Sequence, residues 1–176
     1  MIGGNLSKID GREFFCIFCE TGREAIVEDY LQSLGCIVIS STVERNVVKN
    51  GKFIKEFRPI ISGYTFFEYD GEPDWREIKK CKYIYYPLQY NDNSKKLRNN
   101  DLEFVYWLIR NNGVVKISKV IEIGNKIKII EGPLKEYEGN IVKINKRQKC
   151  AKIEINGEGM INNVWVSYEY MDIKNG

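Results

Sequence analysis

Residues 122–144 constrain what this chain can fold into more than any other stretch. Ile127 and Ile129 alternate with Lys126 and Lys128, the pattern of a strand with one buried and one wet face. Gly132-Pro133 breaks that run, Gly139 marks a second turn, and Val142 and Ile144 resume the alternation. After a basic break at 145–149, Ala151, Ile153 and Ile155 form a third alternating set. Three short strands joined by Gly-containing turns predict part of a small, closed β-barrel.

The rest of the chain reads differently. Residues 13–19 are apolar on both faces, a buried-strand pattern. Thr21-Gly22-Arg23-Glu24 reads as a capping box, with Thr21 as N-cap. Ile26, Val27, Tyr30, Leu31 and Leu34 then recur at helical spacing up to Gly35. A strand is predicted over 36–41 and a long hairpin over 43–57, turning at Asn50-Gly51. An aromatic strand follows at 64–68, a short helix at 74–80, a strand at 83–87, and a helix at 101–110 with Leu102, Val105, Tyr106 and Ile109 on one face. Asn111-Asn112-Gly113 is the natural boundary. The expected division is a disordered 1–12, a first domain at 13–112, a linker at 113–121 and a barrel at 122–176.

Two stretches resemble the NusG family of transcription elongation factors. Gly124, the Ile-Ile-Glu-Gly-Pro run at 129–133 and Gly139-Asn140-Ile141-Val142 are similar to its KOW motif. Pro59-Ile60-Ile61-Ser62-Gly63-Tyr64-Thr65-Phe66 is similar to the Phe-Pro-Gly-Tyr-x-Phe segment of its N-terminal (NGN) domain, with Ile61-Ser62 where Phe-Pro is usual. Residues 164–171 match the closing KOW strand, so the resemblance covers 13–173. It implies an α+β N-terminal domain, an antiparallel sheet packed with helices, followed by an all-β SH3-like barrel. It also implies docking on RNA polymerase through Ile60, Ile61 and Tyr64.

Charge is unevenly spread. Residues 1–115 carry 16 basic and 16 acidic side chains, whereas 116–152 carry 10 and 4. Lys143, Lys146, Arg147, Lys149 and Lys152 crowd one hairpin, and no acid lies between 139 and 153. If Val142, Ile144, Ala151 and Ile153 face the core, period two turns Lys143 and Lys152 outward. Such a patch fits a polyanion, and RNA is favoured because a two-stranded ribbon can lie against the groove of a hairpin near its loop. Housekeeping NusG proteins tend to carry acidic or mixed residues here. The expectation is therefore a specialised paralog, most like the LoaP type, that promotes processive antitermination by binding polymerase and a nascent RNA hairpin. The alternatives are a housekeeping factor whose barrel binds a ribosomal or termination protein, and a structural ribosome-associated RNA-binding protein.

Catalysis is not expected. The chain has no histidine, which excludes Ser-His and Cys-His pairs. Cys16 and Cys19 are the only close cysteines and lie in a strand, where positions three apart face opposite sides; core packing is expected, with no metal and no cofactor. No apolar run approaches the roughly 18 residues of a membrane span. A cytoplasmic monomer with free thiols is the expectation.

Overall fold

The computed structural model describes residues 12–160 and 163–171. In chain order the strands and helices are β1 (Arg12–Cys19), α1 (Glu24–Ser33), β2 (Ile37–Ile39), β3 (Thr42–Lys49), β4 (Lys52–Pro59), β5 (Tyr64–Asp70), α2 (Trp75–Ile78), β6 (Ile84–Pro87) and α3 (Asn99–Arg110). Then come β7 (Val114–Val115), β8 (Ser118–Ile123), β9 (Lys126–Glu131), a 3-10 segment at Pro133–Asn140, β10 (Ile141–Asn145), β11 (Cys150–Glu154) and β12 (Asn163–Tyr170). The fold is mixed α/β, with three sheets and three α-helices among the described residues.

The first sheet, ordered β2-β5-β1-β6, is antiparallel throughout. Its central strand β1 is buried on both sides, as its apolar run predicts. Phe15, Ile17 and Cys19 join one core with Val27 and Leu31 of α1. Cys16 joins the other, with Phe66, Phe104 and Trp107. The two thiols thus sit on opposite faces of the sheet, as strand geometry requires. Burial pushes both above the ordinary thiol range, so they behave as core side chains. Residues 1–11, most of the segment expected to be disordered, lie outside the described residues; Arg12 opens β1 and pairs with Glu68.

The capping box does not form. Arg23 occupies the N-cap position without a side-chain cap bond, because Glu24 turns inward and accepts the Gly63 backbone N–H at 2.8 Å. Glu24 therefore fastens the start of α1 to the turn preceding β5. On α3 the deep face is Asp101, Phe104, Trp107 and Leu108 with Val105, so the helical stripe is rotated relative to the sequence expectation. Leu102, Tyr106 and Ile109 are half-buried.

β3 and β4 form the predicted hairpin, turning through Asn50 and Gly51, both at positive φ. β7 adds to β3 in parallel, and β8 pairs with β9 and β12. The stretch expected as linker is thus largely strand. The C-terminal sheet runs β10-β11-β12-β8-β9. Gly132 (φ 103) makes its sharp turn where a Cβ would lie 2.7 Å from the Ser118 backbone; only glycine fits. Ser118 Oγ then accepts the Leu134 N–H at 3.0 Å.

One apolar core runs from the first sheet into the C-terminal sheet. At the junction, fully buried Trp107 donates its indole N–H to the Pro133 carbonyl at 3.2 Å and meets Tyr137 edge-on at 4.8 Å. Buried Asp101 accepts from the Tyr90 hydroxyl at 2.9 Å and from the backbone N–H groups of Gly159 and Met160. Arg98–Glu158 and Arg110–Glu136 ion pairs close the rim.

Candidate nucleic-acid interface

β10 and β11 pair antiparallel, with Lys143 opposite Lys152, Ile144 opposite Ala151 and Asn145 opposite Cys150. Ala151 and Ile153 are fully buried and Ile144 packs against the core. Val142 does not face the core as the alternation predicts. A register shift between Ile141 and Lys143 sends Ile141 inward and leaves Val142 53% exposed, as a bulge does when it interrupts period two. The outer face keeps its cations. The turn is braced by Asn145, whose side-chain oxygen accepts the Gln148 N–H at 3.0 Å, and by the Tyr168 N–H donating to the Lys149 carbonyl at 2.9 Å.

The five cations do not share one environment. Lys146 is not unpaired: it forms an ion pair with Glu122 of β8, whose carboxylate raises the Lys146 pKa. The sequence window from 139 to 153 misses this acid because β8 lies earlier in the chain. Lys152 stands opposite Trp165 across β11 and β12, with its ammonium 6.0 Å from the indole centroid, a cation–π distance. Lys143, Arg147 and Lys149 have no acidic partner among the described residues. Lys143 directly faces Lys152, a like-charge cross-strand pair that disfavours the sheet unless an anion sits between them.

Arg147 and Lys149 also border a cleft of about 740 Å³ whose opposite wall is the β3–β4 hairpin, through Arg45 and Phe53. Neither Arg45 nor Phe53 stands out as a site residue in the sequence. Only the packing of β12 beside β3 brings that hairpin to the basic turn. The one local hint is Phe53, a large aromatic beside a tight turn, and it is 75% exposed.

Ile60, Ile61 and Tyr64 are all buried and belong to the core shared by both sheets. Tyr64 meets Phe18 edge-on at 4.6 Å, and Phe18 in turn meets Tyr86 at 5.0 Å. The exposed apolar surface in this region belongs instead to Phe57, Tyr85 and Tyr86. Phe57 lines one groove with Tyr64.

The five cysteines are free, and burial lifts Cys36 to about 11. Among the described residues, no three Cys, Asp or Glu side chains gather where they could hold a metal ion. No helix of the described residues is long and apolar enough to cross a membrane. What the arrangement offers chemically is a fixed array of positive charge and aromatic surface.

The chain matches no protein-family model, and no curated protein matches it. Among solved structures it is similar to one concerning domain interaction in Thermotoga maritima NusG, at 18% identity and a TM-score of 0.49. That similarity covers 89% of this chain and 93% of the other.

Proposed function

We propose that this chain is a specialised transcription elongation factor of the NusG type, with an NGN-like first domain and a KOW-like barrel. Its basic ribbon binds an RNA hairpin in the nascent leader, and its first domain rides on RNA polymerase. The observation that carries this is the outer face of β10–β11, where Lys143, Arg147 and Lys149 lack acidic partners among the described residues and Lys143 opposes Lys152. Cations held without counter-charges suit a phosphate chain, which supplies the missing charge. Arg147 provides a planar fork for bidentate phosphate or base contact, and the lysines act as point charges.

The polymerase-facing surface is assigned to Phe57 and Tyr86, which are exposed beside the buried Ile60, Ile61 and Tyr64. Of the buried trio, Tyr64 borders a groove with Phe57 and meets Phe18, which in turn meets Tyr86. Aromatic anchors of this kind dominate protein interfaces. Tethering to polymerase and transcript together raises local concentration and favours processive antitermination.

The experiment is a gel shift of the full chain against hairpins from leader transcripts, with and without RNA polymerase. Binding to a hairpin alone and a supershift with polymerase are expected. A protein that shifts no hairpin, yet is retained by a ribosomal or termination protein, is the housekeeping alternative.

A further inference from the structure

Building on the RNA reading above, we propose that the cleft between the β3–β4 hairpin and the C-terminal sheet holds an unstacked, single-stranded segment of RNA. The duplex stem of the same transcript would lie on the outer face of β10–β11. Its volume of about 740 Å³ falls in the range of roughly 300–1,000 Å³ typical of ligand sites. That admits extruded nucleotides but not a double helix.

The walls carry both kinds of group that single strands need. Arg45, Arg147 and Lys149 line the cleft against one acid, Glu169, so a phosphate chain meets net positive charge from both sides. Phe53, from one wall, and Trp165, from the other, offer ring faces. A ring as exposed as Phe53 (75%) contributes nothing to the core of this chain, whereas base–aromatic stacking would cover it.

Tyr168 also borders the cleft, but its side chain is a core group: it is 1% exposed and belongs to the same cluster as Val164 and Val166, on the strand face opposite Trp165 and Glu169. The cleft's binding surface is therefore its arginines, Lys149 and the two exposed-side rings.

The test is fluorescence anisotropy of the full chain with three labelled probes: a short oligouridylate, an oligothymidylate of equal length, and a blunt RNA duplex. Oligouridylate and oligothymidylate are both expected to bind, because ring stacking and phosphate contacts do not read the sugar. Phe53→Ala is expected to weaken oligouridylate about tenfold while leaving the blunt duplex and the melting temperature unchanged. Arg45→Gln is expected to weaken oligouridylate several-fold without lowering the melting temperature. Unchanged oligouridylate affinity in either variant would overturn the proposal. Duplex binding without oligouridylate binding sinks the cleft and leaves the ribbon standing. Binding of neither RNA sinks both. Oligouridylate binding alone supports the cleft and removes the ribbon.

Discussion

Two hairpins of this molecule share an architecture and differ in how their charges are settled. β3–β4 and β10–β11 are both antiparallel ribbons with a lysine-bearing turn region. On β3–β4 the acids are engaged: Glu44 with Lys55 at 3.0 Å, and Glu56 with both Lys49 and Arg58. Its exposed side chains include large apolar ones, Val48, Phe53 and Phe57, beside Lys49, Lys52, Lys55 and Arg58. On β10–β11 the apolar side is mostly folded into the core and the outward side is cationic, with one cation of five neutralised by an acid among the described residues. Charge that a protein pairs internally serves its own fold. Charge left open is available to a partner, and most of it lies on β10–β11, with Arg45 of β3 facing the same cleft.

The largest expected effect is on RNA. Arg147→Glu is predicted to weaken leader-hairpin binding by roughly ten- to a hundredfold, as for loss of a charge-assisted contact. Adding Lys149→Asn should deepen the loss without strain, since position 149 sits at φ 50 and asparagine tolerates that region. The same charge reversal on the other hairpin, Lys52→Glu, should change affinity by less than about threefold. Equal losses from the two reversals would erase the distinction between the ribbons.

Stability should respond in opposite directions. Lys55→Ala leaves Glu44, among the few buried acids, with only the Ile117 N–H at 3.1 Å. It should cost about 0.5–1 kcal/mol in urea titrations. Lys143→Thr relieves the like-charge pair with Lys152 and places a β-branched residue on a strand, so it should gain about 0.3 kcal/mol. A loss at position 143 would mean that the lysine serves the sheet rather than a ligand.

The smallest effect is with pH. Burial pushes the Glu44 carboxyl up, but the bond from Lys55 and the Ile117 N–H together hold it below its ordinary 4.5. A depressed carboxyl stabilises the folded chain above that ordinary value, and the contribution fades as pH falls through the lower folded one. Glu44→Gln should therefore flatten part of the melting-temperature decline below about pH 4.5.

What the sequence revealed follows the range of the physics involved. Alternation located β9, β10 and β11, and Asn50-Gly51 located its turn, because both signals are local; β7 and β8 fell in the stretch expected as linker. The α1 cap failed because Glu24 has a better partner 39 positions away, at Gly63. Val142 was turned outward by a register shift that no local pattern announces. Lys146 looked unpaired because its acid, Glu122, arrives through sheet pairing rather than sequence proximity. Ile60, Ile61 and Tyr64 are apolar, as an interface would require, but composition cannot separate an interface from a core. The cleft was invisible because Arg45 and Trp165 come to border one space only when β3 packs beside β12.

The most direct measurement is the salt dependence of binding between the full chain and a blunt leader hairpin. With Lys143, Arg147, Lys149 and Lys152 each displacing a counterion, log K should fall with log salt at a slope of about −3 to −4, shrinking by about one in Arg147→Glu. A slope near zero, or one that Arg147→Glu leaves untouched, would contradict a phosphate-gripping role for the open charges of β10–β11.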